Sequence, residues 1–394
     1  MNKERMIELR DVYRRGLLDD VVPFWLKHSV DRQYGGTMTA VDRDGTVIDT
    51  DKCLWQQGRF AWMLGNMYNT VERRGEWLEV AGSCVRFILE HGLAPNGQLY
   101  FLVERDGRPL RRRRYAFSES FAAMAMAEYA RATGKDEYAA KARLFFDNFA
   151  KFHGNAAATG IPDKAEPTRR MRGLGFPMIR LNVAQQLREA LGDESFTRAA
   201  DECIETIATY HVKDDIQCVM ECVGPGGEIV DHFDGRTLTP GHAIEGAWFI
   251  LQEAKLRGRD AGLIELGTKM LDWMWQRGWD QEYGGLLYFR DVYGLPVQEY
   301  WHDMKFWWPH NEAIIATLLA YQLTGDAKYA RWHTMVHDWS YAHFPDPEYG
   351  EWYGYLHRDG RIASHAKGTT WKGCFHLPRM QLVCWRILDE MLAG

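Results

Sequence analysis

What most constrains the fold of this chain is a repeat. The string Asp-x-x-Tyr-Gly-(Gly/Glu) occurs three times, as DRQYGG at 31–36, DQEYGG at 280–285 and DPEYGE at 346–351. An Arg-Asp-Gly turn follows the first and third copies, at Arg43-Asp44-Gly45 and Arg358-Asp359-Gly360, while the second has Arg290-Asp291-Val292. RDG returns at 105–107, after the strand-like QLYFLVE. Alternating apolar residues beside Asp-Gly predict short β-hairpins. Each hairpin leads into a lysine and an aromatic helix start: Lys52 before CLWQQGRF, Lys305 before FWWPHNEA and Lys372 before GCFHLPRM. Less similar helix starts fall at FSESFAAM from 117, LNVAQQLR from 181 and GHAIEGAW from 241. Anchored on Trp55, Phe117, Leu181, His242, Trp308 and Phe375, the chain divides into six units spaced 61–67 residues apart.

Between anchors the apolar residues keep helical spacing. In SFAAMAMAEYARATG (120–134) and EAIIATLLAYQLTG (312–325) they recur at i, i+3, i+4 and i+7, and both segments end in a Thr-Gly cap. EYAAKARLFFDNFAKF (137–152) supplies the second helix of a pair. Six helix pairs predict an all-α fold, an (α/α)6 barrel with inner and outer rings, closed rather than an open solenoid. The short β-hairpins and the inner helix starts then share one end. No Pro/Ser-rich linker interrupts the chain, so residues 1–394 are expected to form a single domain.

Composition narrows the partners. A net charge of −6 argues against nucleic acid or an anionic membrane, and no window reaches the ~18 apolar residues of a membrane helix. The N-terminus MNKERMIELRDVYRR has no signal-peptide pattern, and the seven cysteines form no framework, so a cytoplasmic protein is expected. The run Arg111 to Arg114 reads as a solvated loop. The 13% aromatic content suits either a large core or a carbohydrate site.

Convergence of the helix starts gathers Arg59, Glu119, His242, Glu245, His310, Glu312, His376 and Arg379 at one cavity, with Lys305 and Lys372 just before two of them. Singly, each histidine could be a cap or a core residue. Glu245, three residues after His242, is expected to orient its ring. No HExxH, Cys/His cluster or dense carboxylate loop is present, so no metal is predicted. GPGGE at 224–228 lacks the setting of a phosphate loop.

At GHAIE (241–245), MKFWWPHNEA (304–313), DPEYGEWYGYL (346–356) and KGCFHLPR (372–379), and from DKCLWQQGR (51–59) onward, the chain resembles the N-acylglucosamine 2-epimerase family. The resemblance implies an (α/α)6 barrel that inverts C2 to interconvert N-acetylglucosamine and N-acetylmannosamine. It also implies a homodimer, no cofactor in the chemistry, and ATP or another nucleotide as an activator. By matched motif the catalytic histidines fall on His242 and His376, with Arg59 and Glu245 in support. Trp55, Trp308 and Trp371 are the expected sugar walls, and Glu119, Lys305, His310, Glu312 and Arg379 further sugar contacts. Members of the superfamily acting on unsubstituted sugars carry another histidine at the third helix start, where this chain reads Leu181-Asn182-Val183-Ala184-Gln185-Gln186. The alternatives are epimerisation or aldose–ketose isomerisation of an unsubstituted sugar, a glycosidase built on Glu119, Glu245 and Glu312, and a binding protein without turnover.

Overall fold

Inner and outer helices alternate along the chain, as the spacing of the anchors predicts. A computed structural model describes residues 1–162 and 170–394. Among these, twelve helices have ten residues or more: α1 Lys3–Arg15, α2 Leu54–Thr70, α3 Gly75–His91, α4 Phe117–Thr133, α5 Asp136–Phe152, α6 Gly175–Leu191, α7 Thr197–Thr206, α8 Pro240–Leu256, α9 Ala261–Gly278, α10 Trp307–Thr324, α11 Ala327–His343 and α12 His376–Ala393. The even-numbered helices form the inner ring. Helices α2, α4, α8 and α10 are buried around nearly their whole circumference, whereas α3 and α5 are amphipathic and bury one face. Helix α6 starts at Gly175, six residues ahead of the expected LNVAQQLR, because Pro177 is tolerated in a first turn.

The ring closes. Around it, each inner helix from α2 to α12 packs on the next. Trp62 of α2 then meets Phe375 at 5.4 Å between ring centroids, and the Arg386 guanidinium donates to Asn66 Oδ1 at 3.1 Å. On the outside, α1 packs against α12. Helices α2 and α4 approach closely because position 58 is glycine: a Cβ there would lie 2.7 Å from the Phe121 carbonyl carbon. An open solenoid is thereby excluded.

At the end where the inner helices begin, short strands tie neighbouring units together. Lys52 pairs with Val103, Arg172 with Val223, Thr237 with Asp291, and Lys305 with Leu356, all antiparallel. The repeated Asp-x-x-Tyr-Gly motif fastens this layer. Asp31 is held by Lys52 at 2.9 Å and Arg105 at 2.9 Å. Asp280 is held by Lys305 at 2.9 Å and Arg358 at 2.8 Å, and Asp346 by Lys367 at 3.1 Å and Arg43 at 2.7 Å. In every case the arginine comes from an RDG hairpin and lies over the tyrosine of the motif it clasps: Tyr34, Tyr283 or Tyr349. The Arg43–Asp346 clasp joins the first and last units. Burial opposes these carboxylate charges, yet their cationic partners hold all three well below the usual carboxylate range. Lys305, expected at the sugar, belongs to this clasp. It is fully buried, and its pKa is pushed down to about 8, first by that burial.

Among the described residues no helix is long and apolar enough to cross a membrane, and all seven cysteines are free thiols. The Arg111–Arg114 run is more engaged than a solvated loop. Arg112 and Arg114 donate to the carbonyls of Thr159 and Pro162, and Arg113 lies 3.9 Å over the Phe101 ring.

Candidate active site

The starts of the inner helices enclose a cavity of about 760 Å³. Beside a stretch of hairpin and loop residues that includes Glu221, Tyr288 and Tyr355, the inner helices form two arcs of its wall. Helices α8, α10, α12 and α2 contribute His242, Glu245, Trp308, His376, Arg379 and Arg59. Helices α4 and α6 contribute Phe117, Phe121, Met178, Ile179 and Asn182. Trp55 and the half-exposed Trp371 also line it, their ring centroids 5.5 Å apart.

His242 sits in the first turn of α8, whose N-terminus is set by Pro240 at a position where proline costs no hydrogen bond. Its Nδ1 faces the Glu221 carboxylate, 3.0 and 3.1 Å from the two oxygens. An ionised carboxylate there fixes Nδ1 as the donor and leaves Nε2 free. Burial pulls the imidazole pKa down, but Glu221 more than offsets this, and the net shift is upward. The orienting carboxylate is therefore Glu221 and not the expected Glu245, which is bonded to Arg379 at 2.6 Å.

His376 opens α12. Its Nδ1 lies 2.6 Å from Glu312 Oε1, so this ring too keeps one nitrogen for the cavity. Its pKa falls well below the ordinary value, first through burial and then through the nearby guanidiniums of Arg379 and Arg59. Both imidazoles lie against Trp308, with centroid separations of 4.9 Å for His242 and 5.8 Å for His376. The two histidines thus share one cavity and one carboxylate-fixed geometry, while their surroundings shift their pKa values in opposite directions.

Arg59 is the third element. Its guanidinium packs over Phe121 at 4.2 Å and Phe375 at 4.7 Å and donates to the Trp371 carbonyl at 3.3 Å. Among the described residues no carboxylate pairs with it. Burial, with Arg379 close by, pulls its pKa down to about 10, which leaves it cationic at neutral pH. Arg379, by contrast, is neutralised by Glu245 and by Glu312 at 2.7 Å.

Three expected sugar contacts lie behind the wall. Glu312 is fully buried and serves His376, Arg379 and the Trp248 indole N–H. Glu119 accepts the Leu99 backbone N–H at 2.7 Å, and His310 Nε2 accepts that of Leu286 at 2.9 Å while its Nδ1 donates to the Phe306 carbonyl at 2.6 Å. These two hold the hairpins, as Gln57 does with the Thr37 N–H at 2.9 Å. With Glu119 and Glu312 off the cavity, the carboxylate set of a glycosidase is not assembled. Sequence reasoning missed Glu221, which lies in a loop between Cys218 and Cys222 outside any helical period, and Tyr288, whose ring stands edge-on to Trp308.

Among the described residues the one cluster with metal-ligand types is Glu245, Glu312 and His376. Arg379 bonds both carboxylates, so a guanidinium already supplies the positive charge an ion would bring.

A sequence profile described as N-acylglucosamine 2-epimerase (GlcNAc 2-epimerase) matches residues 35–377. The chain belongs to the N-acylglucosamine 2-epimerase family. It is 40% identical to the N-acylglucosamine 2-epimerase of Bos taurus, over 95% of this chain and 90% of that one. With the human enzyme of the same name it shares 38%, over 95% and 89%. The structure of cellobiose 2-epimerase from Spirochaeta thermophila superposes with a TM-score of 0.83 at 21% identity, covering 99% of this chain and 98% of the other, which fixes the barrel fold. In this family member, as in the period of its sequence, the helix starts are where the chemistry-bearing residues collect.

Proposed function

We propose that this enzyme interconverts N-acetylglucosamine and N-acetylmannosamine by inverting C2. The observation that carries the reading is the pair of cavity-facing imidazoles, each pinned through Nδ1 by a carboxylate, beside an arginine that pairs with no carboxylate among the described residues. In a closed pyranose the C2 proton is not acidic, so the reacting form is the open-chain aldehyde, in which C2 lies next to a carbonyl. One neutral imidazole removes the proton, giving an enolate planar at C2 with its charge on O1. The other imidazole, protonated, returns a proton to the opposite face. Burial and the neighbouring guanidiniums disfavour the cation on His376, while Glu221 favours it on His242, which suits His376 to the base and His242 to the acid in one direction. After one turnover the single shared proton sits on the other ring, which is the state the reverse reaction needs.

Arg59 offers its charge to the oxyanion that develops at O1, a contribution typically worth ~10²–10³ in rate. Trp55, Trp308 and Trp371 give the sugar apolar faces, and Glu245 positions Arg379. No step requires a cofactor. From the resemblance alone we carry over a homodimer, a role in amino-sugar and sialic acid metabolism, and activation by ATP or another nucleotide; from the N-terminus, the scattered cysteines and the lack of a linker in the sequence we carry over cytoplasmic residence and 1–394 as one catalytic domain.

Proton NMR of the purified enzyme with N-acetylglucosamine in deuterated water tests the reading. N-acetylmannosamine carrying deuterium at C2 is the expected product. Turnover of cellobiose, glucose or mannose in its place would keep the histidine chemistry and overturn the substrate.

A further inference from the structure

We propose that Asn182 reads the acylamido group of the substrate, and that the α4–α6 arc around it is the pocket for the acyl chain; this rests on the epimerase reading above. The arc differs from the α8, α10, α12 and α2 side of the cavity in carrying no charge. Phe117, Phe121, Met178 and Ile179 make it apolar, and Asn182 is the polar side chain set among them. Asn182 is buried, at 5% exposure, and no hydrogen bond joins its amide to any described residue. Buried polar groups are nearly always bonded, so this amide is presented to whatever fills the cavity.

The chemistry of the group selects the ligand. A carboxamide offers one acceptor oxygen and two donor hydrogens and bears no charge. It therefore matches a second amide in a two-bond pair: its N–H to the acyl C=O, its oxygen to the acyl N–H. The charged groups on the wall are less suited. Glu221, Glu245 and Arg379 are bonded to one another or to His242, and Arg59 is a cation.

Position supports the same assignment. Met178 and Ile179 precede Asn182 by four and three residues, so all three share a helix face and the amide has an apolar shelf beside it. Helix α6 is the ring neighbour of α8, which carries His242. Their contact is close: a Cβ on Gly246 would lie 3.5 Å from Met178 Cγ. The acylamido nitrogen is attached to the reacting carbon, so the group that recognises it has to lie next to the histidine pair.

The test uses Asn182→Leu, which keeps volume and removes polarity, and Asn182→Asp, which keeps acceptors and removes donors. Epimerisation of N-acetylglucosamine is measured together with competitive binding of N-acetylglucosaminitol and of glucitol, open-chain alditols that cannot enolise. We expect kcat/KM to fall about 10²-fold in Asn182→Leu, with a matching loss for the acetamido alditol, a change under about threefold for glucitol, and a loss at least as large in Asn182→Asp. Should Asn182→Leu not fold, Asn182→Asp decides alone. Unchanged kcat/KM, or equal losses for both alditols, would overturn the inference and leave the epimerase reading intact. Wild-type enzyme that binds the acetamido alditol through Asn182 yet exchanges no C2 hydrogen would do the reverse. Failure of both binding and exchange would sink both.

Discussion

Two layers of polar residues meet at the same end of the barrel, and they use the same side chains for different ends. In the hairpin layer, Gln57, Glu119 and His310 stand two residues past the anchors Trp55, Phe117 and Trp308 and accept backbone N–H groups. In the cavity layer, His242 and His376 each give one nitrogen to a carboxylate, and among the described residues nothing bonds the other. His310 has both nitrogens bonded, and burial, with Lys305 adding to it, drives its pKa down to about 3, so it has nothing to offer a substrate. A histidine at a helix start is therefore informative only once its second nitrogen is accounted for. Spare bonding capacity, rather than residue type, separates the chemistry from the scaffold.

Substitutions should divide along that line. The largest effect is expected at the free imidazoles: His242→Ala and His376→Ala each lose more than ~10³-fold in epimerisation with unfolding midpoints near wild type. Near-normal turnover in either would abolish the distinction. Next comes the scaffold. Asp280→Asn leaves buried Lys305 without its charge partner and should cost ~3–5 kcal/mol of stability, read by denaturant unfolding, with kcat/KM of the folded fraction within a few fold of wild type. Glu221→Gln sharpens the cavity side. It should lower activity ~10–100-fold, and because the carboxylate is what raises the His242 pKa, the alkaline limb of the pH–rate profile should move to lower pH.

The smallest effect is expected at Glu119, a carboxyl doing work a neutral group can do. Burial raises its pKa from 4.5 to about 7. A raised carboxyl pKa means the folded protein holds the proton more tightly, so stability is full below about pH 4.5 and is lost as pH rises through about 7. Glu119→Gln keeps an acceptor for Leu99 and cannot ionise. Relative to wild type it should gain ~1–3 kcal/mol between pH 5 and pH 8, with activity unchanged. A flat difference across that range would place Glu119 elsewhere in the account.

The barrel was legible because its causes are periodic. Helical spacing, Thr-Gly caps and a three-times repeated turn motif are local signals, and six of them in register leave a ring as the simplest way to bury every inner face. The helix-start residues were legible as a set for the same reason. Their division was not. Lys305, Glu119 and His310 have partners 20 to 25 residues away in hairpins, and Glu221 reaches His242 from a loop without periodicity. The i,i+3 spacing of His242 and Glu245 suggested a pair, but Arg379 from the next-but-one inner helix, 134 residues on, bonds that carboxylate instead. Pair chemistry across a ring is set by which helices face each other, and a single sequence does not state that.

The central claim is that two imidazoles address opposite faces of C2, and single-epimer hydrogen exchange tests it most directly. His242→Ala and His376→Ala are each incubated in deuterated water with pure N-acetylglucosamine and with pure N-acetylmannosamine, and C2 deuteration is followed by NMR. Each variant should exchange one epimer without inverting it, through the imidazole it retains, and the two variants should favour opposite epimers. If both exchange the same epimer, or if either still inverts C2 at the wild-type rate, the two-histidine account is wrong.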